Sequence, residues 1–227
     1  MAARMAAAAR AAGRDPATIR VLAVSKTLPA EAIRAAYALG QRAFGENYVQ
    51  EATTKMAGLS DLAAIEWHLI GPLQSNKARP AATHFSWVQT VDRIEIAERL
   101  AAARGGACTP LNVCVQVNIS GEARKSGCAP DEALGLARAA AQSPQLALRG
   151  FMGIAAETAD VARQRAQFRV LRTLFDRAQA SGMPVDTLSM GMSADMEAAI
   201  AEGSTLVRIG TALFGARPKK EVEARNA

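Results

Sequence analysis

Eight times between Arg20 and Gly215, a short run of β-branched and small apolar residues gives way to a segment with apolar residues at helical spacing. Arg20 to Ser25 precedes Ile33, Ala36, Tyr37 and Gly40; Ala43 to Gly45 precedes a helix expected from Tyr48; Ile65 to Ile70 precedes one from Asn76. Trp87 to Val91 leads into Ile94, Ala97, Leu100 and Ala101, and Leu111 to Val117 into a helix from Pro130. Leu146 to Met152 leads into a long helix through Phe168, Leu171, Leu174, Phe175 and Ala178. Thr187 to Met190 precedes a helix expected from Ser193, and Leu206 to Ile209 precedes the closing segment. Strands separated by helices pair in parallel, because a parallel pair needs a long crossover. Eight units without a linker predict one closed (β/α)8 barrel over residues 1–218, followed by a charged tail at 219–227.

Composition agrees with such a barrel and excludes several alternatives. Of 227 residues, 50% are hydrophobic and 4% aromatic, so the core is built from Ala, Val, Leu and Ile. A net charge of +6 raises the question of a polyanionic partner. The basic residues, however, stand beside acidic ones, as in Arg93-Ile94-Glu95 and Asp160 to Arg165, and the one dense pair is Lys219-Lys220. They read as solvated helix faces, and no nucleic acid is expected. Cys108, Cys114 and Cys128 cannot all pair and show no C-x-x-C spacing, which points to the reducing cytoplasm. Cys114 reads as a small core residue. The Ala-rich start carries Arg4 and Arg10 and reads as an amphipathic helix rather than a leader. No stretch is long and apolar enough to span a bilayer, so no membrane partner is expected. His68, His84 and the cysteines lack metal-ligand spacing. Nor does any segment complete a P-loop or a nucleophile elbow.

In a barrel of this kind the chemistry gathers where the strands end and the helices begin. Lys26, Asn47, Gly71, Asn118, Gly153, Ser193 and Gly210 fall at or just after those ends. A lysine after a buried strand is partly desolvated, which favours its neutral, nucleophilic amine. The same position also suits a lysine whose stem packs on apolar surface while its head reaches water. Gly191-Met192-Ser193-Ala194-Asp195 delivers a serine toward a helix N-terminus, where unpaired N–H groups hold a phosphate or where the serine simply caps the helix. Arg208 points from a barrel strand and is followed by Gly210-Thr211. It needs a partner, either a core carboxylate or a phosphate-bearing ring with a nitrogen acceptor.

Five blocks in order, Ala23 to Thr27, Phe44 to Glu51, Trp67 to Lys77, Met190 to Asp195 and Arg208 to Gly215, resemble the YggS/PROSC family of pyridoxal phosphate homeostasis proteins. The resemblance covers nearly the whole chain and implies a TIM barrel of the alanine racemase N-terminal domain type. It implies pyridoxal 5′-phosphate as cofactor, with Lys26 forming the internal aldimine, a Schiff base. Ser193, Gly210 and Thr211 would hold the phosphate, Met192 would belong to the same cofactor-binding set, Arg208 would face the pyridine nitrogen, and Asn47 and His68 would line the ring pocket. A guanidinium donates and does not accept, so a ring nitrogen facing it stays largely unprotonated and the cofactor is a weaker electron sink.

The second domain and tyrosine base of an alanine racemase have no counterpart in this sequence. The expectation is therefore a monomeric carrier without robust turnover, passing cofactor to apo pyridoxal phosphate enzymes. The alternative is a racemase or lyase acting on small amino acids.

Overall fold

The computed structural model describes residues 1–105, 109–122 and 124–215, so Cys108 and the tail at 219–227 lie outside the described residues. Eight strands form a closed, wholly parallel barrel in sequence order: β1 (Arg20–Val24), β2 (Ala43–Glu46), β3 (Glu66–Leu69), β4 (Trp87–Val91), β5 (Leu111–Val117), β6 (Leu146–Gly153), β7 (Thr187–Ser189) and β8 (Leu206–Ile209). Closure pairs the first strand with the last, with Arg20 opposite Leu206 and Leu22 opposite Arg208. The chain therefore brings its earliest and latest functional segments side by side.

Around the barrel lie α1 (Ala2–Ala11), α2 (Ala30–Ala38), α3 (Val49–Gly58), α4 (Ala78–His84), α5 (Ile94–Arg104), α6 (Ala133–Ala141), α7 (Val161–Ala180), α8 (Met196–Ala201) and α9 (Thr211–Phe214). The long α7 starts where Asp160 accepts hydrogen bonds from Ala162 N and Arg163 N, satisfying two end donors that have no helical partner. Strand side chains alternate between two cores. Ala23, Phe44, Leu69, Val88, Val113 and Leu188 pack outward under Ile33, Ala52, Ala81, Ile96 and Leu171. Inside are two small apolar clusters, Leu22, Ala43 and Leu206, and Trp87, Cys114 and Met152.

The helices after the last two strands are short, six and four residues. The outward faces of Val207 and Ile209 are covered instead by Met196, Ile200 and the N-terminal α1, which buries Ala9. Arg4 pairs with Glu197, and Arg14 donates to the carbonyls of Ile200 and Ser204 at 3.0 and 2.7 Å. The Ala-rich start is thus a structural helix of the barrel wall.

Helix starts differ from the sequence expectation at three places. The segment from Asn76 first makes a 3-10 turn, Ser75–Lys77, before α4, and the segment at Pro130 becomes α-helical only at Ala133. The segment at Ser193 becomes helical only at Met196, because Asp195 turns its carboxylate back to accept from Met192 N.

Gly150 has φ 144° inside β6, beside a register shift against β5, and a Cβ there would lie 2.0 Å from the Thr187 carbonyl oxygen. Gly40 also has positive φ, but open space surrounds it. Gly150→Ala is expected to cost at least ~3 kcal/mol and Gly40→Ala about 1 kcal/mol in urea denaturation. Equal costs would contradict this account of the β6–β7 contact.

Candidate functional site

Lys26 leaves β1 in a turn and is half-buried, and the next residue, Thr27, has φ 64°. A β-branched residue in the left-handed region persists only where its surroundings hold it. They do so from α3. Lys55 Nζ donates to the Ser25 carbonyl at 2.9 Å, to both Glu46 carboxylate oxygens at 2.9 and 3.0 Å, and to Glu51 at 2.6 Å. Ser25 Oγ donates to Glu46 at 2.6 Å, and Thr27 N donates to the Glu51 carboxylate. The backbone is therefore fixed on both sides of Lys26. Burial pushes the Glu46 carboxyl up, which Ser25 and Lys55 oppose. This cluster was not foreseen from sequence, although a glutamate in a short buried strand was a visible sign of it.

Asn47 follows β2 and is half-buried. A Cβ on Gly71 would lie 2.2 Å from the Asn47 carbonyl oxygen, so only glycine lets the β2 and β3 ends approach this closely. Gly191, after β7, accepts from Arg208 N at 2.9 Å and ties the Met192-Ser193 loop to β8. Ser193 is half-buried and Met192 is exposed at 39%. Ser193 is not the helix cap, since Asp195 occupies that position. Gly210 precedes α9 and Thr211 opens it. Among the described residues, the N–H groups of Ser193, Ala194, Thr211 and Ala212 have no acceptor, and all four sit at the carboxyl ends of two adjacent strands.

Arg208 is 4% exposed and projects into the barrel. Its Nη1 donates to the Ser189 carbonyl at 2.6 Å and to Ser189 Oγ at 2.9 Å, and its Nη2 donates to the Gly153 carbonyl at 2.9 Å. Among the described residues no carboxylate lies within ion-pair distance of it, and its Nε donates to nothing. Burial lowers its pKa to about 10, leaving it charged at neutral pH. Of the two partners that the sequence left open for this arginine, a core carboxylate is not in contact.

His68 lies deeper, fully buried on β3 opposite Gly45 and Trp87. Its Nε2 is 2.7 Å from Glu66 and its Nδ1 is 2.8 Å from Gln89 Nε2. Both ring nitrogens are spent inside the barrel. Cys114 and Cys128 are buried and their thiols are pushed up to about 12 by burial, which suits packing rather than nucleophilic attack. His84 ends α4. Among the described residues there is no cluster able to hold a metal ion, and no helix is long and apolar enough to cross a membrane.

A clamped lysine, a buried arginine with a spare donor and two sets of unspent N–H groups, all gathered at one end of the barrel, define a (β/α)8 protein built to hold an anionic small molecule. Residues 1–218 match the family model described as alanine racemase, N-terminal domain. The pyridoxal phosphate homeostasis protein of Pseudomonas aeruginosa is 59% identical over 217 residues, 96% of this chain and 93% of the relative. That of Escherichia coli is 51% identical over 216 residues, covering 94% of this chain and 92% of the relative. The structure of PipY from Synechococcus elongatus with PLP bound is 41% identical, with a TM-score of 0.81 over 95% of this chain and 100% of that one. Alanine racemase of Clostridium difficile, at 14% identity and a TM-score of 0.71, covers 96% of this chain and 57% of the racemase and shares the fold. This chain belongs to the YggS/PROSC family of pyridoxal phosphate homeostasis proteins, built on the alanine racemase N-terminal barrel.

Two expectations follow for stability. Lys55→Met leaves the fully buried Glu46 without its cation and is expected to cost roughly 3–5 kcal/mol in chemical denaturation. A loss below about 1 kcal/mol would contradict the clamp. Burial holds the His68 pKa below its ordinary 6.5, so the unfolded chain takes up a proton that the folded one refuses. Stability is then lost as pH falls from 6.5 toward the folded value. Burial raises Glu66, but His68 and Arg20 outweigh that and bring it down to about 2, so its contribution is lost between 4.5 and about 2. Substituting His68→Gln should remove the upper part of this acid slope, measured as denaturation midpoint against pH, and weaken the lower part, since His68 is one of the two groups that depress Glu66; an unchanged upper part would contradict the assignment.

Proposed function

We propose that this protein holds pyridoxal 5′-phosphate covalently on Lys26 and serves cofactor homeostasis, releasing it to apo pyridoxal phosphate enzymes. The observation that carries the reading is Arg208, a buried cation that among the described residues has no carboxylate in contact and an unspent Nε donor, on the strand that closes against the strand of Lys26. The name of the close relatives and the PLP in the PipY structure support the choice of ligand.

In this reading Ser193, Gly210 and Thr211 hold the phosphate, with the N–H groups of Ser193, Ala194, Thr211 and Ala212 as donors and Met192 over the loop. Asn47 stands beside the ring. His68 acts from one layer below, through its chain to Arg208. The cofactor supplies an aldehyde that condenses with an amine, losing water, and a ring that withdraws electrons. Arg208 offers that ring nitrogen a hydrogen bond but keeps its own proton, since a guanidinium remains charged in water well above neutral pH. A ring so held withdraws electrons weakly, which suits carriage better than racemisation. Tyr48, on the same rim, is 60% exposed, and among the described residues it makes no side-chain hydrogen bond that would orient it as a base. The reading also places the protein in the cytoplasm as a monomer, with residues 1–218 as the binding domain.

Protein purified with pyridoxal 5′-phosphate should absorb in the near-visible, and borohydride reduction followed by peptide mapping should place the pyridoxyl group on Lys26. Lys26→Ala should be colourless yet folded. The reduced protein should no longer release cofactor to an apo-enzyme. A label on another lysine, or amino-acid racemisation at ordinary enzymatic rates, would overturn the proposal.

A further inference from the structure

We propose that Gln89 is a positioning residue for Arg208, the central link of a one-way hydrogen-bond chain that crosses the barrel to Glu66. The proposal rests on the site reading above for its effect on cofactor, while the chain itself is read from geometry alone.

Gln89 lies on β4 and Ser189 on β7, three strands away, so their contact runs through the barrel interior. Arg208 Nη1 lies 2.9 Å from Ser189 Oγ, Ser189 Oγ 2.6 Å from Gln89 Oε1, Gln89 Nε2 2.8 Å from His68 Nδ1, and His68 Nε2 2.7 Å from Glu66. Glu66 also accepts from Arg20 Nη2 at 2.6 Å, at the amino ends of the strands. Ser189, Gln89 and His68 are all fully buried, so no water can replace a missing link.

The two ends fix the direction of every bond between them. An arginine has donors and no acceptor, so Ser189 Oγ accepts and must send its own proton onward to Gln89 Oε1. That turns the amide nitrogen of Gln89 toward His68, whose Nδ1 must then be the bare acceptor. The imidazole proton sits on Nε2 and points at the Glu66 carboxylate, which Arg20 keeps ionised. The reverse order would need arginine to accept. Flipping the Gln89 amide alone would set a bare His68 nitrogen against a carboxylate. His68 stacks on Trp87 with centroids 4.9 Å apart and planes at 12°, which holds the ring plane, and a half-turn within that plane would set Cδ2 and Cε1 against the two partners and repair neither fault.

Aligned dipoles thus join a buried cation to a carboxylate that does not touch it. The consequence for the site is geometric. With Nη1 held by Ser189 and Nη2 by Gly153, the guanidinium has one orientation, and Nε–H and the second Nη2 hydrogen are the donors left over. Gln89 touches neither the guanidinium nor the rim and acts only through Ser189.

Nitrogen-15 spectra of the two histidines, assigned with His84→Gln, read the chain directly in cofactor-free protein. His68 is expected as the neutral Nε2–H tautomer at neutral pH. In Ser189→Ala, which removes one oxygen and little volume, and in Gln89→Met, the tautomers should mix. Cofactor loaded on either variant should dissociate roughly tenfold faster, the size of one lost hydrogen bond to a charged group, with the double variant no worse than the singles. Affinity for inorganic phosphate should stay unchanged. An Nδ1–H tautomer, wild-type release rates, or losses that multiply in the double variant would overturn the proposal. If the wild-type protein bound no cofactor at all, the site reading would fail, and the tautomer would still decide whether the chain exists.

Discussion

A guanidinium shut inside a barrel of apolar strands is the constraint around which this molecule is arranged. Arg208 has lost its hydration, and a bare charge in that environment would be neutralised or expelled. It is kept by two backbone carbonyls, a serine hydroxyl, the field of Asp195 and a polarised chain leading to Glu66. These partners account for much of what is unusual in the barrel interior, where Gln89, His68 and Ser189 replace the aliphatic side chains that normally fill such a space. A buried chain of this kind is favourable only when its links are made, and each link from Arg208 through Ser189, Gln89 and His68 to Glu66 is within hydrogen-bond range.

The second requirement is an amine held still. Lys26 sits beyond the end of the strand that closes the barrel against Arg208, and its neighbours in the chain are pinned by Lys55 and Glu51. The pinning reaches across from α3 and permits Thr27 a backbone conformation it would not choose alone. Two separate devices, one within the barrel and one outside it, therefore fix the two groups that would grip opposite sides of a ring. Closure of β1 on β8 is what converts them into one site.

Much of this was legible in the sequence because strand ends are marked locally. The alternation of apolar runs and helical spacing located all eight strands, and the residue after each strand named Lys26, Asn47, Ser193 and Gly210 as rim residues. What escaped notice was long-range. Gln89 lies within Trp87 to Val91, where one amide among apolar residues reads as an ordinary strand position until β7 is seen opposite it. Glu66 lies in β3 and Glu46 in β2, and nothing local shows that one meets His68 while the other meets Lys55. The start of α8 was misplaced for a similar reason: Asp195 had two donors to choose from, and it took Met192 N behind it rather than a helix N–H ahead.

The central claim is that the amine after β1 and the arginine on β8 grip one cofactor between them. A crystal structure of the protein grown with pyridoxal 5′-phosphate tests it most directly. The account predicts electron density continuous from Lys26 Nζ into the ring, with the ring nitrogen within hydrogen-bond distance of the Arg208 guanidinium and the phosphate over Ser193 and Thr211. Density joined to a different lysine, or a ring nitrogen turned away from Arg208 toward a carboxylate, would contradict it.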